Sequence, residues 1–327
     1  MHDAQVGRTM AGVTVALLGD LSVRKELGKV GTQSDIHLHD VKHDGADLTT
    51  IVPARYPEQL KCLSYAVCGA DAAVLAVKEL DARTGEQILA ADAAGIPHGI
   101  IVLTGHLAAE QLAPLLKGTT LESWPIQQEA DWPAVRSHLA ATPPIERTGD
   151  VLVPIDHHFD VKGVGAVILG VVKQGTLHKG DTLYAWPTKA ICPVKSIQIH
   201  DADHPEAHVG DRVGLALRNV KADQLDRGQV LAPADADLQA LKAGDTTTLR
   251  LRRSPFSKQP LGKDSVVHLG MGMQFVPVRL LGDAPGPGQE GSVDAVLEKG
   301  LVVAAGDHGV LWHVDAGQRV VASVRFD

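Results

Sequence analysis

Five cations lie close together in the last third of the 327-residue chain, with a spacing that suits phosphate binding. No acidic residue interrupts the run between Leu249 and Lys263, so its local charge is +5, carried by Arg250, Arg252, Arg253, Lys258 and Lys263. A patch of this kind binds the backbone of a nucleic acid through its phosphates. A solvated strand face would have the same composition, so the run alone leaves both interpretations open.

A second group is the histidine series His37, His39 and His43. Histidines two residues apart share one face of a strand, an arrangement that suits zinc. No cysteine pair accompanies the series, and 16 histidines in the chain make such a cluster common by chance. We therefore predict no metal site. No G-x-S-x-G motif is present, so nucleophilic hydrolysis has no support either.

Composition limits the class of protein. Hydrophobic residues make up 44% of the chain and charged residues 21%, which is typical of globular domains, and the length predicts two or three of them. The net charge of −8 confines any phosphate contact to a local patch. Three cysteines without a C-x-x-C pair indicate reduced thiols, and the apolar runs are shorter than the ~20 residues that span a bilayer. We expect a cytoplasmic protein that binds neither membranes nor DNA.

Strand and helix patterns alternate in the first part of the chain. Apolar runs at 12–19, 72–77 and 99–103 predict buried parallel strands, and an Ala-rich stretch at 84–94 predicts a helix between the last two. This strand–helix–strand crossover is the unit of a doubly wound sheet. The Thr-Pro-Pro stretch at 142–144 predicts a linker.

Beyond the linker the hydrophobic period is two, which is typical of strands. Tight corners are indicated by five glycines within eighteen residues, Gly163, Gly165, Gly170, Gly175 and Gly180. A Pro/Asp/Ala stretch at 233–237 separates a further β-patterned segment at 245–327. The patterns predict a multidomain fold with an α/β domain followed by two β-barrels.

Matches at fixed spacing recur over ~80 residues of the second segment, at 155–172, 175–181, 195–200, 210–217 and 225–231. These stretches closely resemble the second domain of translational GTPases, the EF-Tu/SelB family, and its SelB branch most of all. The residues at 254–278 resemble the third domain of the same family.

The resemblance implies a domain plan. A degenerate GTPase-like α/β domain, with a P-loop-GTPase-like Rossmannoid sheet, would occupy 1–145. An EF-Tu/SelB domain 2-like β-barrel would occupy 150–234, and a domain 3-like β-barrel 240–327. The stretches at 31–36 and 55–58 further resemble archaeal SelB-like paralogues whose nucleotide-binding motifs are degenerate.

The family holds guanine nucleotide with three motifs, the first of which is G-x-x-x-x-G-K-[ST]. Counted from Gly19, it places Arg24 at its second glycine, Lys25 at its lysine and Glu26 at its Ser/Thr. A large side chain blocks the close approach of backbone N–H groups to phosphate, and a carboxylate replaces the hydroxyl that binds Mg²⁺.

The other two motifs, D-x-x-G and N-K-x-D, fall on 52–55 and 104–107. The aspartate that reads guanine is therefore Leu107, and the histidine of active elongation factors is Tyr56. The resemblance thus implies a non-enzymatic protein without GTP or Mg²⁺ as cofactor. Its degenerate nucleotide-site positions are Gly19, Arg24, Lys25, Glu26, Val52, Arg55, Tyr56, Thr104, Gly105 and Leu107.

In the family the second domain receives the aminoacylated 3′ end of a tRNA, with the terminal adenosine against an aromatic ring that matches Phe159. SelB adds two arginines near the selenocysteinyl group, and these match His157 and Arg212; a histidine supplies charge only when protonated. The 3′-end candidates are Asp156, His157, His158, Phe159, His200, Asp201 and Arg212. The third domain contacts the tRNA backbone, a role that fits the basic run.

We therefore expect a monomeric SelB/EF-Tu-like paralogue that has lost GTP binding and binds tRNA, the ribosome or a translation factor. One alternative is an active GTPase in which Lys25, or Lys29 after Gly28, contacts the phosphates. Another is a protein-interaction subunit that binds no RNA, which the acidic net charge permits.

Overall fold

A computed structural model describes residues 12–142 and 149–326 of the chain. Its first part contains a seven-stranded sheet with β1 (Val13–Gly19), β2 (Lys29–Gln33), β3 (His37–His43), β4 (Ala46–Val52), β5 (Ala72–Val77), β6 (His98–Leu103) and β7 (Ile126–Gln127). The helices are α1 (Leu60–Gly69), α2 (Ala82–Ala94), α3 (Ala109–Leu116) and α4 (Trp132–Ala140). The strand order is β2-β3-β4-β1-β5-β6-β7.

The neighbouring strands β4, β1, β5, β6 and β7 pair in parallel. Strand β3 pairs antiparallel with both β2 and β4. Strands β1 and β5 are buried on both faces, which explains their continuous apolar sequences. Helix α2 begins where the Asp81 carboxylate accepts a hydrogen bond from the Thr84 N–H at 2.8 Å, and it ends at Gly95 with φ +69°. The predicted strand–helix–strand crossover is β5-α2-β6.

The second part of the chain is a closed six-stranded barrel. Its strands are β8 (Val153–Val161), β9 (Gly165–Val171), β10 (Leu177–His178), β11 (Thr182–Trp186), β12 (Ala190–Ile199), β13 (Ala202–His204), β14 (Glu206–Ala207), β15 (Arg212–Leu217) and β16 (Val230–Ala232). The ring runs β11-β16-β8-β9-β15-β12 and closes because β12 also pairs with β11. Strand β13 extends β12 outside the ring, and β10 pairs with β14.

The third part is a second closed barrel with the ring β18-β21-β20-β19-β23-β24. Its strands are β17 (Gln239–Leu241), β18 (Thr246–Arg253), β19 (Val266–Met271), β20 (Gln274–Leu280), β21 (Glu290–Leu297), β22 (Leu301–Val303), β23 (His308–Trp312) and β24 (Val320–Arg325). The predicted fold class, an α/β domain and two β-barrels, is confirmed. The prolines of the predicted linker at 143–144 lie outside the described residues.

The first and third domains share one hydrophobic core. Met273, Val310, Trp312 and Val320 of the third domain belong to the same buried cluster as the apolar faces of α1 and α2. The indole of Trp312 is completely buried there. The α/β domain therefore cannot leave this barrel without exposing a large apolar surface to water.

Candidate functional site

An open cleft of about 790 Å³ separates the β2 edge of the first sheet from the second domain. Its first-domain wall is 29–32, with Asp40 behind it. Its barrel wall contains four of the seven predicted 3′-end residues, Phe159, His200, Asp201 and Arg212. The fold brings these residues together from β8, the β12–β13 turn and β15. We call this space the domain 1–2 cleft.

Phe159 is the aromatic platform of the cleft, with 43% of its surface exposed. Val161 and Val164 lie beside it and Val30 lies on the opposite wall, and all three are also exposed. An apolar patch inside a cleft, rimmed by polar side chains, is typical of a binding site. The arrangement suits a planar group that stacks on the ring.

His200 and Asp201 occupy the turn between β12 and β13, where both have left-handed backbone conformations with φ +50° and +62°. This turn brings the His200 Nε2 atom within 2.8 Å of the Asp47 Oδ1 atom in the first domain. His200 therefore lines the cleft and also contacts β4 of the first domain.

Asp156 is the buried acid beneath the cleft. Its carboxylate accepts hydrogen bonds from Arg212 Nη1 at 2.6 Å and from His157 Nδ1 at 2.6 Å. Burial opposes ionisation, but the charge of Arg212 and the bond from His157 outweigh it and hold the pKa of Asp156 below its usual value. The Arg212 charge is thus neutralised within the protein, and Arg212 Nη2 also donates to Thr32 Oγ1 at 3.3 Å.

Both ring nitrogens of His157 have partners within the protein. Its Nε2 atom lies 2.8 Å from Ser34 Oγ and 3.3 Å from Arg227 Nη2, while Nδ1 faces the Asp156 carboxylate. His158 is half-buried, and its Nδ1 has no hydrogen-bond partner among the described residues.

Arg227 is a site residue that the sequence analysis missed. Its Nε donates to the Asp156 carbonyl at 2.7 Å, its Nη1 to Asp35 Oδ1 at 2.7 Å and its Nη2 to Ser34 Oγ at 3.3 Å. Burial raises the pKa of Asp35, but the hydrogen bond and charge of Arg227, with Ser34 and Lys61, lower it to about 2. Arg227 lies within the family-like stretch at 225–231, which was the available signal.

The basic run forms a groove on the outer face of the third domain. Arg250 and Arg252 are exposed on β18. Arg325 of β24 joins them, because β18 pairs with β24 in a register that places Arg325 opposite Arg250. The sequence analysis missed Arg325. The groove measures about 600 Å³ and also contains Glu290. Arg252 Nη2 lies 3.4 Å from a carboxylate oxygen of Asp92 on α2. We call this surface the basic groove.

Arg253 does not belong to the basic groove, and the prediction that it contacts RNA is corrected here. Only 2% of Arg253 is exposed, since it follows Leu249 and Leu251 on the inward face of β18. Its guanidinium donates to Ser257 Oγ and to backbone carbonyls of Ser257, Gln259 and Pro285. Lys258 and Lys263 are exposed but do not line the groove.

The segment after β1 occupies the position predicted for the phosphate loop. Gly19, with φ +80°, donates its N–H to Gln87 Oε1 at 2.7 Å. Residues Leu21–Leu27 then form a 3₁₀ helix, and Arg24 Nη1 donates to the carbonyl of Leu21 at 3.0 Å. The Lys25 and Glu26 residues are exposed. No α-helix follows β1 before β2, so this described segment lacks the helix N-terminus that typically binds phosphate.

The D-x-x-G position leads directly into the contact with the third domain. Val52 ends β4 and is buried, and Arg55 is exposed. Tyr56 is buried and donates its hydroxyl proton to Glu86 Oε2 at 2.7 Å, while Arg319 Nε donates to Glu86 Oε1 at 2.7 Å. Burial and the Glu86 carboxylate raise the pKa of Tyr56.

The N-K-x-D position follows β6. Thr104 and Gly105 line a shallow depression of about 520 Å³ at the carboxyl ends of the strands, together with Asp20 and Glu129. Leu107 is half-buried and packs on the hydrophobic core. The depression therefore contains two carboxylates and one cation, Lys78.

The histidine series does not form a common site. His39 Nδ1 lies 3.1 Å from the Gly28 carbonyl, and His43 Nε2 lies 3.0 Å from Ser137 Oγ. No cluster of three or more His, Cys, Asp or Glu side chains within the described ranges has the arrangement of a metal site.

Comparison with known proteins places these features in a family. The family model for elongation factor Tu domain 2 matches residues 165–232. The chain is 36% identical over 82% of its length to "Uncharacterized protein MJ0325" of Methanocaldococcus jannaschii and covers 85% of that protein. The chain belongs to the translational GTPase superfamily, in its EF-Tu/SelB branch. This SelB-like chain is also 35% identical over 129 residues to the selenocysteine-specific elongation factor of M. jannaschii, covering 39% of this chain and 27% of that protein.

The fold of this SelB-like chain also matches a solved structure. The apo form of translation elongation factor SelB from Methanococcus maripaludis superposes with a TM-score of 0.79 at 23% identity, covering 97% of this chain and 80% of that one. None of the helices in 12–142 and 149–326 is long and apolar enough to cross a membrane.

Proposed function

We propose that this SelB/EF-Tu-like translation-factor paralogue binds the 3′ end of a tRNA in the domain 1–2 cleft and does so without GTP. The observation that carries the proposal is the exposed Phe159 ring, assembled with His200 and Asp201 in a cleft of sufficient size. Relatives of this chain are named translation elongation factors, which supports a role of this chain in translation, and we propose that it acts in the cytoplasm.

The segment after β1 does not have the conformation that binds a triphosphate. A triphosphate needs backbone N–H groups at a helix N-terminus, whereas here the Gly19 N–H already bonds to Gln87 and a 3₁₀ helix follows. The exposed Glu26 carboxylate adds a repulsive charge. Titration with fluorescently labelled GDP and GTP should show no saturation in the micromolar range. Micromolar binding would refute this half of the proposal and favour an atypical GTPase, whose turnover would then be tested in Lys25→Ala.

The Phe159 ring and the basic groove both support RNA binding. Stacking of a base on an aromatic ring contributes ~1–3 kcal/mol, so Phe159→Ala should weaken tRNA binding by roughly 5- to 150-fold. The basic groove would add phosphate contacts, which makes affinity fall steeply as salt rises.

Filter binding against charged and uncharged tRNA tests this half. Phe256→Ala is the matched control, since Phe256 is 56% exposed in the third domain and lies outside the cleft. Equal tRNA affinities of Phe159→Ala and the unmodified protein would show that Phe159 does not contact the tRNA.

The charge arrangement also limits what the cleft selects. Arg212 pairs with Asp156, and both ring nitrogens of His157 have partners within the protein, so neither side chain is free to pair with an anionic aminoacyl group. We therefore expect tRNAs that carry anionic and uncharged amino acids to bind with similar affinity. A strong preference for the anionic group would contradict this expectation and would show that one of these side chains reaches the ligand.

A protein-interaction subunit without RNA is the second candidate, favoured by the net charge of −8. Charge reversal at Arg250 and Arg252 separates the two. Loss of RNA association in that variant supports the tRNA-binding function, and unchanged RNA association supports the protein-interaction subunit.

A further inference from the structure

The first-domain wall of the cleft is an edge strand. Within 12–142 and 149–326, strand β2 pairs only with β3, and its register shifts between Val30 and Thr32. Most of its residues are exposed, so little apolar burial holds it in place. Its position across from Phe159 must therefore depend on other contacts.

Those contacts come from the second domain. Arg227 bonds to Ser34 and Asp35, which directly follow β2, and to the backbone carbonyl of Asp156 on β8. One planar guanidinium thus joins the end of the cleft wall to the barrel strand that carries Phe159. The face of the guanidinium lies 5.3 Å from the Tyr65 ring of α1, which fixes its plane further.

Arg227 itself does not line the cleft. It therefore acts on a bound group only through the wall that it holds. Its removal should not unfold the chain, because the Asp35 carboxylate keeps a cation of its own domain, Lys61, at 3.3 Å. The contact that Arg227 makes between the domains would be lost, while the Asp35 carboxylate would keep the charge of Lys61 beside it.

We propose that Arg227 is a positioning residue that holds the β2 wall over Phe159, so that the cleft is formed in advance and independently of nucleotide. This rests on the proposed function of the cleft. In this arrangement the segment that closes the cleft is tied to the neighbouring domain by a charge-assisted hydrogen bond, and no ligand of the first domain is needed to order it.

The test compares Arg227→Ala with Arg218→Ala, the loss of an exposed arginine from the same barrel. Hydrogen exchange of the amides at 29–36 reports the wall, and filter binding of tRNA reports the cleft. We expect Arg227→Ala to speed exchange at 29–36 and to weaken tRNA binding about tenfold, since bonds to charged groups are lost. Arg218→Ala should change neither, and millimolar GDP or GTP should leave exchange at 29–36 unchanged in the unmodified protein.

Asp35→Asn approaches the same contact from the other domain and covers the case in which Arg227→Ala does not fold. It should speed exchange at 29–36, and adding Arg227→Lys to it should have little further effect. The inference is overturned if neither single variant exchanges its amides at 29–36 faster than the unmodified protein does. It is also overturned if Arg227→Ala weakens tRNA binding while exchange at 29–36 is unchanged, because Arg227 would then contact the tRNA directly. If the unmodified protein binds no tRNA, the proposed function fails, while the exchange data still decide whether Arg227 holds the wall.

Discussion

Replacing Arg319 by alanine should leave a buried carboxylate uncompensated where the first and third domains meet. Glu86 of α2 is only 7% exposed and accepts hydrogen bonds from Arg319 and from the Tyr56 hydroxyl. Arg319 also donates to the Pro57 carbonyl at 3.2 Å, so the residue that precedes β24 is joined both to α2 and to the β4–α1 loop of the first domain.

The magnitude follows from the burial of Glu86. Removal of one partner of a buried ion pair costs about 3–5 kcal/mol, because the remaining charge is neither hydrated nor paired. Tyr56 still donates one hydrogen bond, and the partial exposure of Arg319 indicates that water would enter the space. We therefore expect Arg319→Ala to lower the free energy of unfolding by about 3 kcal/mol.

Urea unfolding followed by intrinsic fluorescence measures this change, since Trp312 is buried at the same contact. Arg279→Ala is the control: its side chain is 49% exposed and pairs with Glu298 at 2.6 Å on the barrel surface. An exposed pair contributes at most about 1 kcal/mol. The reasoning is refuted if Arg319→Ala loses no more stability than Arg279→Ala.

Three further predictions concern single residues. The pKa of Asp35 in the folded protein, about 2, is below its ordinary value of 3.8. The ionised carboxylate therefore adds roughly 2 kcal/mol to the free energy of unfolding above pH ~4, and this contribution is lost as the pH falls towards 2. Asp35→Asn should flatten the pH dependence of urea unfolding in that window. Arg253→Ala should lower thermal stability without changing the salt dependence of RNA binding, whereas Arg252→Ala should reduce the salt slope by about 1 and leave stability unchanged. Gly210→Ala should destabilise the contact between the first two domains by more than about 2 kcal/mol in calorimetry, because φ is +90° and a Cβ atom would lie 2.0 Å from the Gly12 carbonyl oxygen.

Elements set by local pattern were predictable. The apolar runs of β1, β5 and β6 and the capped helix α2 depend on neighbours within a few residues, and they lie where the sequence places them. The alternation on β18 was also legible, because Arg253 shares its strand face with Leu249 and Leu251. Counting positive charges without applying that period wrongly placed Arg253 among the RNA contacts.

Contacts between residues that lie far apart along the chain were not predictable from one sequence. Arg325 joins Arg250 only through the pairing of β18 with β24. Arg227 meets Asp35 although 192 residues separate them, and His157 meets Ser34 across 123 residues. No local periodicity in the sequence indicates such a long-range contact.

The order of residues alone determined that this chain builds an α/β sheet and two barrels of the EF-Tu/SelB type, since strand period, glycine corners and fixed motif spacing are short-range properties. Only the packing of the chain in three dimensions decided which charges are available to a ligand. Arg212 and Arg227 have the same residue type as any exposed arginine, but the fold places the carboxylates of Asp156 and Asp35 against them and neutralises them, because hydrogen bonds and ion pairs depend on distance in space and not along the chain.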